Sequence, residues 1–233
     1  MKAPGKRPYQ GILLDMDNTL LDFDSGERRA FLQTCTQFGL DAGEKEYQLF
    51  HQVNDYLWKQ LEQGRVDKPT LRIRRFQVML ELMGRTGDVS PAYFHECYTQ
   101  RMGQEHQLLP GAEEFCKWLK QMGYKTAVVT NGHQENQHRR LRESGLAAYM
   151  DAVVVSEECA PKPDPIIFQL AAQRLQLEPS QVVVLGDSLG ADIAGGQRAG
   201  MDTIWLAEKE TPLPQGIEPT YRIHCLEEAK ELL

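Results

Sequence analysis

The chain has 233 residues and a formal net charge of −7 at pH 7. This length allows one or two domains with a large core, and the acidic balance argues against nucleic acid as a partner. Five widely spaced cysteines without a C-x-x-C pair argue against a disulfide framework or a zinc site. The basic residues 1–10 precede no signal-type apolar stretch, and no run reaches about 18 apolar residues. We therefore expect a cytoplasmic protein with no membrane partner.

The first predicted element is a strand that ends at Leu14 and is followed directly by two carboxylates. Residues 12–14 are an uninterrupted apolar run, which is typical of a strand buried on both faces. Asp15 and Asp17 then bring two anions to a buried strand end. Two anions at a buried position are unfavourable unless a cation neutralises them or the pKa of one carboxyl group is raised. The alternative interpretation is an Asp-rich turn that ends the strand.

Four helical patterns come next, and no strand pattern interrupts them. They are predicted over 25–40, 44–63, 69–83 and 91–102, and Ser25 is a candidate N-cap of the first. Such a run of helices after one strand predicts a separate helical subdomain over 22–105. The remaining segments, 1–21 and 106–233, would then form one discontinuous core.

From residue 106 onward, helices and strands alternate, which is typical of a parallel sheet built from βαβ units. Predicted strands cover 125–130, 152–155, 181–186 and 202–206, and predicted helices cover 111–122, 133–144, 164–175 and 190–199. A loop rich in Pro and Gly follows at 211–219. Thr130 and Asp187 end two of the strands. Ligands bind beyond the carboxyl ends of parallel strands, so we expect these two side chains to converge with Asp15.

The polar residues at this predicted edge favour the chemistry of a phosphate and a metal ion. Carboxylates that converge without His or Cys favour Mg²⁺ over Zn²⁺. A divalent ion would also reduce the repulsion between a carboxylate nucleophile and a phosphate dianion. Lys162, with a proline on each side, fits a fixed positive charge near the transferring group, and a solvated loop lysine is the alternative. Thr130 and the backbone N–H groups that follow it could hold phosphate oxygens, or Thr130 could simply end its strand.

Four segments resemble the motifs of the haloacid dehalogenase-like hydrolases. They are Asp15-Met-Asp17-Asn-Thr-Leu, Thr130-Asn131-Gly, Lys162-Pro-Asp-Pro-Ile-Ile-Phe and Gly186-Asp187-Ser-Leu-Gly-Ala-Asp192-Ile. The resemblance covers nearly the whole chain, with residues 22–105 in the place of a helical cap. It implies an α/β fold in which a Rossmann-like parallel-sheet core carries an inserted all-helical cap.

The resemblance also implies a mechanism for the first motif. Asp15 would be the nucleophile that forms an aspartyl-phosphate, and Asp17 would protonate the leaving oxygen and later activate water. Family members that cleave carbon–halogen bonds lack the second acid, because a halide leaves without a proton. The acid at position 17 therefore indicates a phosphomonoester hydrolase.

For the other motifs, the resemblance implies binding roles. Thr130, Asn131 and Lys162 would hold the phosphate. Asp187 would bind Mg²⁺ together with the Asp15 carboxylate and the carbonyl of Asp17, and Asp192 would orient the site. The implied partner is a small phosphorylated metabolite, and we expect a monomer or a homodimer.

A narrower resemblance lies in the helical segment. Val53-Asn54-x-x-Leu57-Trp58, Gly64-Arg-Val and Arg75-Phe76 are similar to bacterial 5′-nucleotidases that act on pyrimidine and non-standard nucleoside monophosphates. It implies a 5′-nucleotidase, with Asn54, Trp58 and Arg75 as cap residues that contact the substrate. Trp58 could instead be a core aromatic of the cap, and Asn54 and Arg75 could lie on a helix surface.

Other functions are compatible with the same motifs. An acylneuraminate-9-phosphate phosphatase shares the Thr-Asn-Gly segment and the Asp-Ala-Val-Val-Val strand, and a sugar-phosphate phosphatase would use the same residues. A phosphosugar mutase would return the phosphoryl group to its substrate instead of releasing phosphate. A non-catalytic binding protein on this fold would not need the full set of acids, and here every expected acid is present.

Overall fold

Six parallel strands form the sheet of this protein, whose computed structural model describes residues 9–207, 211–212 and 216–233. The basic N-terminal residues 1–8 and part of the loop at 211–219 lie outside the described residues. The strands are β1 (Gly11–Leu14), β2 (Lys125–Thr130), β3 (Ala152–Val155), β4 (Val182–Gly186), β5 (Asp202–Leu206) and β6 (Tyr221–Ile223). Their spatial order is β3-β2-β1-β4-β5-β6.

The first strand lies in the middle of the sheet because all four of its residues are apolar or small and can be buried on both faces. Leu13 of β1 pairs with Ala127 of β2 on one side and with Val184 of β4 on the other. The prediction of a Rossmann-like parallel sheet is confirmed. The short strand β6 was not predicted, since three residues with an arginine in the middle show no strand pattern.

Four helices make up the segment Phe23–Glu105, which follows β1. They are α1 (Phe23–Gln37), α2 (Glu44–Glu62), α3 (Lys68–Leu82) and α4 (Pro91–Met102). Stacked rings lie at the centre of this segment, with ring centroids 4.6 Å apart for Phe31 and Phe50 and 5.3 Å apart for Phe50 and Phe76. The prediction of Ser25 as N-cap is wrong, because α1 already begins at Phe23.

Five helices accompany the remaining strands. They are α5 (Ala112–Gln121), α6 (Gln134–Glu143), α7 (Pro165–Leu175), α8 (Ala194–Arg198) and α9 (Leu226–Ala229). Ile12 and Leu14 pack with Phe115 of α5, whereas Leu13 packs with Phe168 of α7, so helices cover both faces of the sheet.

One predicted helix differs in its geometry. The segment predicted as a helix over 190–199 begins as a π-helix, Leu189–Ile193, and becomes α-helical only in α8. The carbonyl of Ser188 accepts from the N–H groups of both Asp192 and Ile193, which widens the turn. This wide turn is the second half of the last predicted motif and contains Asp192.

The chain divides into two compact units, Met1–Asp22 with His106–Leu233 and Phe23–Glu105. The first unit contains the sheet and the second contains α1 to α4. All five cysteines are free thiols. Among the described residues, no helix combines the length and the apolar character that a membrane crossing requires.

Candidate active site

The carboxyl ends of the three central strands carry the predicted site residues. Asp15 follows β1 directly, and its N–H donates to the carbonyl of Leu185 in β4 at 2.9 Å. Thr130 is the last residue of β2, and Asp187 follows the last residue of β4. Because β2 and β4 flank β1, these residues lie at one edge of the sheet.

Lys162 brings a buried positive charge to this edge. Its Nζ donates to Asp15 Oδ1 at 2.5 Å, to Asp192 Oδ1 at 2.7 Å and to the carbonyl of Val129 at 2.9 Å. Only 3% of the residue is exposed, so the alternative of a solvated loop lysine is wrong. Burial alone would lower the pKa of Lys162, but the charges of Asp15 and Asp192 outweigh it and raise the pKa above its ordinary value.

Three carboxylates share this edge and lie close enough to hold a metal ion. Oxygens of Asp15, Asp187 and Asp192 all lie within 4.8 Å of one another. Burial, opposed by Lys162 and reinforced by the neighbouring carboxylates, raises the pKa of Asp15 to about 7. Burial and the charge of Asp15 also raise the pKa of Asp187. One lysine cannot neutralise three carboxylates. An all-oxygen donor set with excess negative charge fits a hard divalent cation such as Mg²⁺.

Asp192 connects Lys162 to the loop after β4. Its Oδ1 accepts from Lys162, and its Oδ2 accepts from the backbone N–H of Ser188 at 3.1 Å. The side chain packs against Gly186 so closely that a Cβ at position 186 would lie 2.3 Å from Asp192 Cγ. Asp192 therefore bonds both to the lysine and to the loop after β4, and its role in orienting the site stays a prediction.

Asn131 fixes the backbone of the lysine loop. Its Oδ1 accepts from the N–H of Lys162 at 2.8 Å, and its Nδ2 donates to the carbonyl of Lys162 at 3.0 Å. This pair of bonds engages the side-chain amide of Asn131. Its predicted contact with phosphate therefore stays a prediction that concerns its backbone N–H.

The carboxylate of Asp17 is bound by two residues of α6 and does not belong to the group of three carboxylates. Arg140 Nη1 donates to Asp17 Oδ1 at 2.6 Å, and Gln137 Nε2 donates to Asp17 Oδ2 at 2.8 Å. Sequence analysis missed both residues. The sequence of α6, QENQHRRLRE, is polar apart from Leu141, so its pattern does not distinguish a buried glutamine and arginine from solvated ones.

In the helical unit, Asn54 contacts both Arg75 and a buried glutamate, Glu27. Asn54 Nδ2 donates to Glu27 Oε1 at 2.6 Å, and Asn54 Oδ1 accepts from Arg75 Nη1 at 3.0 Å. The Arg75 guanidinium also lies 4.9 Å from the ring centroid of Tyr98. Asn54 and Arg75 are buried, so the helix-surface alternative is wrong. Glu27, which sequence analysis also missed, accepts from Asn54, and Asn54 is thus the partner that links Arg75 to Glu27.

Trp58 lies one turn beyond Asn54 in α2. It is partly buried and packs against a small apolar cluster of Leu57, Leu61 and Leu71. This packing agrees with the interpretation of Trp58 as an aromatic of the cap core. The structure thus joins Asn54 and Arg75 by a hydrogen bond, whereas Trp58 packs against apolar side chains.

Comparison with known proteins identifies the class to which this fold and these residues belong. Residues 9–200 match the family model described as haloacid dehalogenase-like hydrolase. The chain belongs to this family of hydrolases.

Two bacterial relatives of the chain are pyrimidine 5′-nucleotidases. The chain is 31% identical to the pyrimidine 5′-nucleotidase PynA of Streptococcus pneumoniae, with 97% of this chain and 95% of PynA covered. It is 32% identical to the pyrimidine 5′-nucleotidase YjjG of Escherichia coli, with 97% and 98% covered. Together with the family membership, these relatives identify the chain as an enzyme of the phosphatase type.

A solved structure supports the same comparison. The magnesium-bound HAD-hydrolase YfnB of Bacillus subtilis, for which interdomain movement is reported, superposes with a TM-score of 0.91 at 32% identity. The match covers 98% of this chain and 99% of YfnB.

Proposed function

We propose that this protein is a Mg²⁺-dependent phosphomonoesterase that hydrolyses nucleoside 5′-monophosphates, with pyrimidine nucleotides preferred. The observation that carries the proposal is the pairing of Asp15 with Lys162 at 2.5 Å, with a second acid two residues further along the chain. The choice of substrate is supported by the relatives PynA and YjjG, both pyrimidine 5′-nucleotidases.

In the first step, an oxygen of Asp15 attacks phosphorus, and the bond between phosphorus and the nucleoside 5′-oxygen breaks. Asp17 gives its proton to that departing oxygen, which leaves as an alcohol. Lys162 and the hydroxyl of Thr130 hold the oxygens of the transferring phosphoryl group. The products of this step are a nucleoside and a phosphoryl group on Asp15.

In the second step, water attacks the phosphorus of the aspartyl-phosphate. Asp17, now a carboxylate, takes a proton from that water, and the bond between Asp15 and phosphorus breaks. Inorganic phosphate leaves, Asp15 is again a carboxylate, and Asp17 again carries a proton. The cycle is balanced with water as its only co-reactant.

The carboxylates of Asp15 and Asp187 and the main-chain carbonyl of Asp17 would hold Mg²⁺, with Asp192 orienting the group. When bound, the ion supplies positive charge that offsets the repulsion between the Asp15 carboxylate and a phosphate dianion. The excess of carboxylates over lysine at this edge of the sheet supports this assignment.

The helical segment 22–105 would act as the cap that selects the substrate. Asn54 and Arg75 are its polar candidates for this role, and Trp58 is an aromatic candidate for stacking on a base. The network with Glu27 supports a defined orientation for Asn54 and Arg75, since each is held by a charged or polar neighbour.

A phosphate-release screen tests the proposed function. The substrates are uridine, cytidine, adenosine and guanosine 5′-monophosphates, several sugar phosphates and acylneuraminate 9-phosphate, each with Mg²⁺ and with EDTA. We expect Mg²⁺-dependent release with the largest kcat/KM for the pyrimidine nucleotides. A preference for a sugar phosphate or for acylneuraminate 9-phosphate would overturn the nucleotidase assignment. Turnover without net phosphate release would indicate a mutase, and no turnover of any phosphomonoester would contradict enzymatic function.

A further inference from the structure

We propose that Gln137 and Arg140 of α6 are positioning residues that hold the carboxylate of Asp17 and the hydroxyl of Thr130 in one fixed arrangement. This inference rests on the proposed function of Asp17 as acid and base. It assigns a role in the reaction to a helix that lies outside the four motifs.

The three side chains Asp17, Gln137 and Arg140 form a closed ring of hydrogen bonds. Arg140 Nη1 donates to Asp17 Oδ1 at 2.6 Å and to Gln137 Oε1 at 2.8 Å. Gln137 Nε2 closes the ring by donating to Asp17 Oδ2 at 2.8 Å. Both carboxylate oxygens thus have a donor, and bonds to both oxygens fix the plane of the carboxylate as well as its position.

The burial of the ring shows which side of it faces the reaction. Gln137 is 1% exposed and Arg140 is 2% exposed, whereas 25% of the Asp17 side chain is exposed. A buried arginine is unfavourable unless it is paired, and here the pairing is with an acid that keeps an open face. The ring therefore supports Asp17 from behind and leaves its other face for substrate and water.

Gln137 also acts on Thr130. Its Nε2 donates to Thr130 Oγ1 at 2.7 Å, and the N–H of Gly132 donates to the same oxygen at 3.0 Å. A hydroxyl that accepts two hydrogen bonds has its own proton left to donate. In the proposed reaction, the acceptor of that proton is a phosphate oxygen. A single amide thus orients both the acid–base residue and a phosphate donor.

The orientation of the Gln137 amide follows from its partners. The two hydrogens of Nε2 meet the acceptors Asp17 and Thr130, and Oε1 meets the donor Arg140. The opposite orientation would place the amide oxygen against the Asp17 carboxylate, which is repulsive. The ring and the bond to Thr130 are therefore formed together.

Gly132 leaves the space in which Gln137 lies. A Cβ at position 132 would lie 2.2 Å from Gln137 Nε2 and 2.4 Å from its Cδ. The atoms that would clash belong to the end of a flexible side chain. We therefore expect Gly132→Ala to fold while it displaces the amide from both Asp17 and Thr130.

The dependence of the single-turnover rate on the leaving group tests the proposal. Single-turnover rates are measured with uridine 5′-monophosphate, an alkyl phosphate, and p-nitrophenyl phosphate, whose leaving group needs little protonation. For Arg140→Met, we expect the single-turnover rate with the alkyl phosphate to fall about 10- to 100-fold. The rate of the nitrophenolate burst should change less than about threefold. Arg140→Lys, which keeps the charge, should recover part of the alkyl rate. Arg139→Met is the matched control, because Arg139 directly precedes Arg140 in α6 and its ion-pair partner Glu135 is exposed.

Gln137→Met and Gly132→Ala each remove both bonds of the amide, to Asp17 and to Thr130. Each should reproduce the alkyl-specific loss of Arg140→Met. Each should also raise KM for both substrates, because Thr130 loses its orienting partner. These two variants keep the test available if the loss of a buried ion pair prevents Arg140→Met from folding, which circular dichroism and a melting curve would show.

A double-mutant cycle with Asp17→Asn decides between positioning and a purely structural role. If Arg140 acts through Asp17, then adding Arg140→Met to Asp17→Asn should reduce the alkyl rate by less than about twofold. Full additivity, or equal losses on alkyl and aryl phosphates, would overturn the proposal while leaving the proposed function intact. If Asp17→Asn alone keeps its alkyl rate, the proposed acid–base function fails instead, and Gln137 and Arg140 have no acid to position.

Discussion

Lys162 contacts Asp15 directly, with 2.5 Å between Nζ and Oδ1, although 147 residues separate the two in the chain. The contact joins the residue after the central strand to the loop before α7. It holds the proposed nucleophile in one orientation and puts a cation beside the place where a phosphoryl group would be transferred.

Replacing Asp15 with Asn should abolish phosphatase activity without unfolding the protein. The amide is nearly isosteric but cannot form the aspartyl-phosphate, and Lys162 keeps its bond to Asp192. We expect a fall in kcat of at least about a thousandfold. Asp41→Asn, an exposed change of the same chemistry, should keep wild-type activity. Substantial turnover by a folded Asp15→Asn sample would contradict the covalent mechanism.

The Asp17→Asn variant should distinguish alkyl from aryl phosphates. Without the acid, an alkyl leaving group departs slowly, whereas nitrophenolate is already a stable anion. We expect a loss of about 10²- to 10⁴-fold on nucleotides. With p-nitrophenyl phosphate, a burst of nitrophenolate should precede a slow steady state, since hydrolysis of the intermediate also needs Asp17. Stopped-flow absorbance measures both phases. Equal losses on both substrates without a burst would show that Asp17 serves another purpose.

Asp187→Asn should weaken the response to Mg²⁺. The variant removes one of three clustered carboxylates while leaving the bonds of Lys162 to Asp15 and Asp192 in place. We expect the Mg²⁺ concentration for half-maximal rate to rise about tenfold or more, and Mg²⁺ to raise the melting temperature less than in the wild type. Titrations of rate and of melting temperature measure the two effects, with Asp41→Asn as the control. Unchanged titrations would exclude Asp187 as a ligand.

Gly186→Ala should destabilise the unit that contains the sheet. The new Cβ would lie 2.3 Å from Asp192 Cγ and 2.6 Å from Asp192 Cβ, and Asp192 is buried and bonded to Lys162 and Ser188. Overpacking of this kind costs about 1–3 kcal/mol. Denaturant unfolding measures the loss. Gly43→Ala is the matched control, since its Cβ would meet no atom closer than 3.8 Å. Equal stability of the two variants would contradict the close packing at Gly186.

His51 should make the stability of the helical unit depend on pH. A hydrogen bond to the buried Glu27, 2.8 Å from His51 Nδ1, raises the pKa of His51 above its ordinary value. Protonation of His51 thus stabilises the folded state. This stabilisation is fully present below about pH 6.5, the pKa of His51 in the unfolded chain. It is lost as the pH rises through the higher pKa that His51 has in the folded protein.

The effect should be about 1 kcal/mol or less, because the His51 side chain is 38% exposed and solvent screens the pair. Urea unfolding at several pH values between about 6 and 9 measures it. The difference in stability between the wild type and His51→Gln should shrink as the pH rises. His106→Gln, a change at a more exposed histidine of the other unit, controls for the loss of a histidine elsewhere. A difference that does not vary with pH would exclude this role of His51.

The sequence predicted those parts of the site that follow directly from strand ends. Asp15, Thr130 and Asp187 each come at the end of an apolar run, and parallel strands bring their carboxyl ends to one edge of a sheet. The parallel sheet and the four-helix segment were predictable because a strand buried on both faces is a continuous apolar run, whereas a helix buried on one face carries apolar residues with a period of about 3.6. These features depend on residues that are near one another in the chain.

Tertiary structure alone decided which polar side chains are buried and what they contact. Gln137 and Arg140 lie on a helix that is polar apart from Leu141, so only the tertiary structure shows that they meet Asp17, 120 and 123 residues away in the chain. Likewise, only the tertiary structure shows that Asn54 accepts from Arg75 and donates to Glu27 of α1. Sequence patterns record burial through apolar residues. A buried polar side chain is stabilised by partners that are distant in the chain, and the local periodicity of the sequence does not predict them.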